Sequence, residues 1–214
     1  IPVFPLRAFR QNAVYVNVHS GIESPEDLKG KRMAAPEYEM TAMCWIGDFL
    51  ESDYGVRPAD MEWFTGGQQD PGRKPRVHFE PPPGVVIHPP EPGKTIDGML
   101  ERGEVDALMA ARQPQPFVER SPNVRRLIPN FREVERDYYR RTRLFPIMHV
   151  VAVRNEIVEK HPWVPMNLYT ALVRARDLAI ERLRYNVSPS ATIPSALAAV
   201  GLSFLAGVIW ENRW

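Results

Sequence analysis

The chain has 214 residues, 44% of them hydrophobic, which is enough to bury a substantial core in one large or two small domains and excludes a disordered chain. With 27 basic against 26 acidic residues and a net charge of +1, no overall field attracts nucleic acid or an anionic membrane, so nucleic-acid binding is disfavoured. The single cysteine, Cys44, rules out an internal disulfide and any cysteine-built zinc or iron–sulfur site, and its neighbours Met43, Trp45 and Ile46 predict a thiol in the core.

In chain order, Val14 to Val18 reads as a strand. Ser24, Pro25, Glu26, Asp27 and Leu28 form a helix start, with serine at the N-cap, proline in the first position and acids at the positive end, and Gly30 ends it. Lys31 to Ala35 is the next strand. Thr41 to Tyr54 then carries Met43, Ile46, Phe49 and Leu50 at helical spacing, closed by Gly55, and Met61 to Phe64 is another strand. From Gly66 to Gly93, eight prolines and five glycines exclude a regular helix and leave two extended arms, Val77 to Phe79 and Val85 to His88. An insert of this length reads either as a lid or binding loop or as a solvated surface excursion.

The pattern then resumes. Thr95 to Glu101 is helical, Val105 to Ala110 is a buried strand, Val124 to Ile128 an edge strand, and Val150 to Val153 a strongly apolar strand. Pro165 to Arg184 is a long amphipathic helix with Leu168, Leu172, Ala175, Leu178, Ala179 and Leu183 as its stripe. Ile193 to Trp210 is 18 residues without a charge, the lower limit for a membrane span, but Pro194, Ser195, Gly201, Ser203 and Gly207 fit two short buried helical pieces better. A membrane anchor is therefore not expected. There is no internal repeat, and the alternation of strands with amphipathic helices predicts an α/β fold.

Several side chains carry candidate chemistry. His149 follows Phe145, Pro146, Ile147 and Met148 at the mouth of the apolar run. There an imidazole with an ordinary pKa of about 6.5 can be half desolvated and tuned for proton transfer, or simply serve as a hydrogen-bonded structural residue. Arg7 and Arg10 are three apart and can approach one cleft as guanidinium forks for carboxylates, or form a solvated pair. Arg112 follows a buried strand at its carboxyl end, where open α/β sheets place ligands. The helix start at Glu37, Tyr38, Glu39, Met40 and Thr41 offers free backbone N–H groups to an anion, with Thr41 as a further donor. Glu39 reads as a partner of the helix dipole, and Glu37 as that or as a buried acid. His19, His78 and His88 lie in loops or extended arms, His161 precedes Pro162, and no pair has the spacing of a helical metal site, so no metal is expected.

Three tracts, FPLRAFRQNAVYVN, PEYEMTA and FPIMHVVAVR, occur in that order, and the last continues the run EVERDYYRRTRLFPIMHVVAVRNEIVEKHPW. Together they resemble the 4,5-dihydroxyphthalate decarboxylase family, over nearly the whole chain. SPEDLKGKRMAAPEYEMTA and TIDGMLERGEVDALMAARQPQPF are similar to the second lobe of type 2 periplasmic binding proteins, the fold of that family. The resemblance implies two α/β lobes joined by hinge crossings at about Ala13 to Val18 and His149 to Val153, in an incomplete chain that continues at both ends. Residues 1–20 would be a first-lobe and hinge segment, 21–145 the second lobe, and 146–214 the return hinge with a helical segment of the first lobe. Family members often carry histidine where this chain has Gln11, which implies a divergent substrate or reduced activity if that histidine shares the chemistry.

What the resemblance implies is a decarboxylase that converts 4,5-dihydroxyphthalate to protocatechuate, in the cytoplasm. The ring acts as its own electron sink, so no cofactor is expected, in keeping with the lack of a phosphate-binding glycine-rich motif. His149 would be the proton donor or hydroxyl base, Glu37 a second acid, and Arg7, Arg10, Tyr38, Thr41 and Arg112 would hold a small aromatic or organic anion. The rival from another class is the solute-binding protein of an ABC importer for a small organic anion, which would be periplasmic. A third is a pyrimidine- or thiamine-precursor enzyme on the same fold. Fold alone does not separate these, and a homo-oligomer is left open.

Overall fold

A computed structural model describes residues 1–73, 79–89 and 92–186. Its strands are β1 (Leu6–Arg7), β2 (Val14–Asn17), β3 (Arg32–Ala35), β4 (Glu62–Thr65), β5 (Val86–His88), β6 (Ala107–Met109), β7 (Val124–Arg126) and β8 (Ile147–His149). The helices are α1 (Thr41–Tyr54), α2 (Ile96–Glu101), α3 (Gln115–Val118), α4 (Phe131–Thr142), α5 (Asn155–Lys160) and α6 (Val164–Asn186). The chain forms two compact units, one of Ile1–Phe9 with the chain from Leu144, the other Arg10–Arg143.

The second unit is built on a six-stranded sheet in the order β5-β4-β3-β6-β2-β7. The neighbours β5, β4, β3 and β6 are parallel, while β2 runs antiparallel to both β6 and β7. Parallel strands need cover on both faces, and the residues comply: Met33, Ala34, Ala35, Ala107, Leu108 and Met109 are all fully buried. Tyr15, Ile96, Met99, Leu100 and Val105 close the core between sheet and α2. Helix α1 buries Ala42, Met43, Ile46, Phe49 and Leu50 and ends at Gly55, whose φ of 65° is the left-handed conformation that a Cβ would strain.

Two polar anchors tie the amino ends of the central strands. Arg32 donates from its backbone N and from Nε to Asp106 Oδ2 at 2.9 and 3.0 Å, and from Nη2 to Asp106 Oδ1 at 2.7 Å and to the Gly103 carbonyl at 2.9 Å. Asn17, at the end of β2, donates from Nδ2 to the carbonyls of Leu100 and Glu101 at 2.8 and 3.2 Å and accepts from His19 N at 2.9 Å.

Several expectations change on contact with the structure. Val14–Asn17, read as a hinge crossing, is a fully buried inner strand of the sheet, and the chain passes between its two units at Phe9/Arg10 and Arg143/Leu144. Val150 to Val153 is not a strand: β8 ends at His149, although Val151 N still donates to the Val3 carbonyl at 3.2 Å, and Val150 is 62% exposed. Cys44 is exposed, because it lies off the buried face set by Met43, Ile46 and Leu50. On α6, Leu168 and Leu172 are half-buried, but Ala175, Leu178 and Ala179 are exposed. Of the two extended arms, Val85 to His88 contains β5, whereas Val77 and His78 lie outside the described residues, as do the Leu183 side chain and the apolar stretch 193–210. No helix among the described residues is long and apolar enough to cross a membrane.

In the first unit β1 and β8 form an antiparallel pair, supported by Ala8 N donating to the Pro146 carbonyl at 3.1 Å and by a tilted Phe9–Phe145 contact at 4.8 Å.

Because Asn17 satisfies carbonyls that are otherwise buried at the end of α2, Asn17→Ala should destabilise the protein by about 1–3 kcal/mol. Urea unfolding measures this, and a loss below a few tenths would show that water replaces the amide.

Candidate functional site

All strands of the second unit except β2 end at one edge of the sheet. There the chain leaves β3 for residues 36–40, β4 for 66–73 and β6 for 110–114, and it enters β2 through a 3-10 turn, Gln11–Ala13. Chain order reverses between β3 and β6: from β3 the strands continue outward to β4 and β5, and from β6 the chain reaches β7 on the far side. Such a switch point leaves a crevice beyond the carboxyl ends, the place where open α/β sheets bind ligands.

The loop after β3 carries Glu37 and Tyr38. Glu37 is buried and already engaged: Arg73 Nε donates to its Oε1 at 2.9 Å, and Arg73 Nη2 meets the same oxygen. Its observed partner is thus an arginine from the proline-rich insert, which sequence periodicity does not reveal. Tyr38 packs edge-on against Trp63 at 5.0 Å and against Phe79 at 5.6 Å, and burial pushes its phenol pKa up. Helix α1 begins after Met40, without a side-chain cap, so Glu37 and Glu39 both precede its first turn, and Thr41 is exposed at the first helical position. Glu39 Oε1 is buried and makes no hydrogen bond.

Arg112, after β6, is exposed, and its carbonyl accepts from Gln68 Nε2 at 3.2 Å. The same amide reaches Asp97 Oδ1 at 3.3 Å, while Gln115 N donates to Asp97 Oδ2 at 2.8 Å. Asp97 is buried, and desolvation raises its pKa although Gln115, Gln68 and Arg112 pull it down. This carboxyl therefore binds the loops after β4 and β6 to the start of α2. Gly67 makes the approach feasible, since a Cβ there would collide with the Asp70 carbonyl.

A second cluster lies at the β2/β7 side of the same edge. Arg10 is half-buried, its backbone N donates to Gln11 Oε1 at 3.2 Å, and desolvation lowers its pKa while Glu135 opposes that shift. Gln11 is itself fully buried. Glu135 of α4 has Oε1 buried without a hydrogen bond, and burial raises its pKa to about 7 against the opposing charges of Arg126, Arg132 and Arg10. Sequence reading passed over this residue because FREVERDYYRRT looks solvated, although Phe131, Val134, Glu135, Tyr138 and Thr142 follow helical spacing and are the less exposed face.

The other two candidates belong to the first unit. Arg7 on β1 is buried, with its guanidinium 4.8 Å from the Phe4 ring centre. His149 ends β8 opposite Leu6 and is exposed, so the half-desolvated imidazole expected of it is not found in this structure. The structure thus brings Glu37, Tyr38, Thr41, Arg112 and Arg10 to one edge of one sheet, and places Arg7 and His149 in the other unit. Among the described residues no three histidine, cysteine, aspartate or glutamate side chains are grouped as a metal site.

Comparison with known proteins gives two similar curated sequences. The chain is 41% identical over 195 residues to the 4,5-dihydroxyphthalate decarboxylase of Comamonas testosteroni, a match covering 91% of this chain and 59% of that protein. It is 39% identical over 140 residues to the 4,5-dihydroxyphthalate decarboxylase of Pseudomonas putida, covering 65% of this chain and 54% of that one. The chain therefore spans rather more than half the length of these relatives. No family model matches it. Among solved structures, the periplasmic aliphatic sulphonate binding protein SsuA of Escherichia coli aligns over 96% of this chain and 66% of its own, at 14% identity and a TM-score of 0.38, too low to add to the fold described above.

Two outcomes follow from the buried carboxyls. Removing the Arg73 fork takes a close counter-charge from the buried Glu37, so Arg73→Met should cost about 1–3 kcal/mol in urea unfolding, and adding Glu37→Gln should recover part of it. For Glu135, the folded chain between pH 4.5 and about 7 holds a proton that the unfolded chain releases, so stability falls as pH rises through that window. Glu135→Gln should flatten this fall and stabilise the protein at about pH 8 by about 1–2 kcal/mol, a figure reduced for residual solvent screening. An unchanged pH slope in the variant would place the titration elsewhere.

Proposed function

We propose that this chain, 41% and 39% identical to two 4,5-dihydroxyphthalate decarboxylases, belongs to that family, and that the protein carrying it removes one carboxylate from 4,5-dihydroxyphthalate, or a close relative, without a cofactor. The observation that carries this reading is 41% identity sustained across 91% of the chain. Chemistry at the sheet edge supports it. Arg10 and Arg112 supply guanidinium groups at the carboxyl ends of the strands, and a guanidinium fork matches a carboxylate in two-point geometry. Tyr38, edge-on to Trp63 and tilted against Phe79, places a partly buried aromatic ring at the same sheet edge, and Thr41 a hydroxyl at the start of α1.

Decarboxylation of such a ring needs proton traffic and an electron sink, and the substrate provides the sink. Loss of the proton from the hydroxyl para to the departing carboxylate sends electron density to the carbon that bears it. That carbon takes a proton, the carbon–carbon bond breaks, carbon dioxide leaves and the ring regains aromaticity as protocatechuate. His149, an exposed imidazole, is the proposed hydroxyl base, and Glu37 the alternative. The compartment this reading implies is the cytoplasm.

Given 4,5-dihydroxyphthalate alone, the full protein should release carbon dioxide and protocatechuate. Arg10→Met and Arg112→Met should each weaken binding of phthalate-like dianions by about 1.5–3 kcal/mol in titration calorimetry. His149→Gln should bind within a few-fold yet lose about 10²–10⁴ in turnover. Tight binding by the unmodified protein with no product would overturn the decarboxylase reading in favour of a solute-binding protein, and equal turnover by the His149 variant would pass the base role to Glu37.

A further inference from the structure

A cavity of about 440 Å³ lies at the carboxyl end of β7, lined by Arg126, Pro129, Asn130, Phe131, Arg132 and Glu133. Its aromatic wall is Phe131, whose ring centre is 4.7 Å from the Arg126 guanidinium and 5.9 Å from that of Arg132. Arg126 is held from behind. Its Nε donates to the Asn12 carbonyl at 3.0 Å and its Nη2 to the Tyr15 hydroxyl at 3.4 Å, and the group sits 5.0 Å from the Phe117 ring and 5.5 Å from that of Tyr15. None of these partners is an anion, so they fix the guanidinium in place without pairing its charge. Among the described residues neither Arg126 nor Arg132 forms a salt bridge, and Glu133, on the same wall, is exposed and bridges to neither.

The acid that feels both arginines is Glu135, one turn along α4 on its inner face. The charges acting on it come from three elements: Arg126 on β7, Arg132 on its own helix, and Arg10 before the 3-10 turn. Helix α1 meets α4 further along, where Tyr138 reaches Asp48 at 3.4 Å and Arg141 reaches Asp53 at 2.8 Å. With its pKa near 7, Glu135 neutralises the arginines only in part at neutral pH.

We propose that this cavity is a carboxylate-binding subsite, in which Arg126 and Arg132 hold the carboxylate of an aromatic acid beside Phe131 while Glu135, behind them, takes up a proton as the anion binds. The proposal rests on the decarboxylase reading for the class of anion and adds to it a place and a linked proton. A bound carboxylate makes the local potential more negative, which disfavours ionised Glu135, so binding above about pH 7 draws a proton from solvent and weakens as pH rises. Glu135 is a positioning residue here, acting through the guanidiniums.

The test is titration of the full protein with phthalate, which lacks the hydroxyls needed for reaction, in two buffers of different ionisation enthalpy at about pH 8. The unmodified protein should take up a measurable fraction of a proton per phthalate bound, and Glu135→Gln should abolish that uptake. Arg126→Lys, which keeps the charge and loses the fork, and Arg132→Met, at an exposed position that tolerates change, should each weaken binding about 5–20-fold. Unchanged affinity in Arg132→Met together with a folded, unchanged Arg126→Lys overturns the subsite, as does equal proton uptake in Glu135→Gln. Turnover of 4,5-dihydroxyphthalate measured alongside separates the two ideas. Turnover with unaltered KM in the arginine variants removes the subsite and leaves the decarboxylase, whereas arginine-dependent phthalate binding without any turnover keeps the subsite and removes the enzyme.

Discussion

The parallel pairing of Met33 and Ala34 with Ala107 and Leu108 is the constraint on which the second unit depends. Both strands are buried on both faces, so their registers are fixed by packing, and a slip by one residue would exchange every side chain between the two faces. The Arg32–Asp106 fork adds an electrostatic lock at the amino ends: desolvation pushes the Asp106 pKa up, but the hydrogen bonds from Arg32 outweigh it and leave the carboxyl below its usual range. Locking the amino ends sets where the carboxyl ends emerge. The loops that carry Glu37 and Arg112 therefore start from a rigid base, although each loop is irregular.

Charge at that edge is managed in two ways. Near β3 the buried Glu37 pairs with Arg73, and near β6 the buried Asp97 accepts from a backbone N–H and an amide. Near β7 the count is uneven, with Arg10, Arg126 and Arg132 around one carboxyl that burial holds partly protonated. Matched pairs make stable loops. Guanidinium groups around a partly protonated carboxyl leave more positive potential than a matched pair does, and that favours a visiting anion.

Much of the fold was legible because periodicity reports burial. The strands at Lys31 to Ala35 and Met61 to Phe64, the helix from Thr41 to Tyr54 with its closing glycine, and the edge strand at Val124 each appear within a residue or two of their place. What escaped had local signals that mislead. Val150 to Val153 has the composition of a strand, yet β8 stops at His149 and leaves Val150 exposed; β propensity measures fit to a half-buried surface, and composition cannot supply the surface. Helix α4 is dominated by charge, so its apolar face is thin and one of its inward positions is a glutamate. The similarity to 4,5-dihydroxyphthalate decarboxylases was legible from three quoted tracts, whereas the contact between Glu37 and Arg73 was not, because Arg73 lies 36 residues away in a segment with no period. Arg7 and Arg10, three apart in the sequence, fall in different units, which that spacing gives no means of anticipating.

The outer strands carry one more consequence, for solubility. At one end of the sheet β5 is three residues long, with Pro81, Pro82 and Pro83 shortly before it and Pro89 directly after it; at the other end β7 is equally short and carries Arg125 and Arg126. An open sheet edge is a template onto which a strand from another chain can add, and the first step of many aggregates is such an addition. Proline lacks the amide hydrogen that a growing ladder needs, and paired arginines repel a second copy of the same edge. The prolines that flank β5 thus oppose the addition of a further strand at that edge.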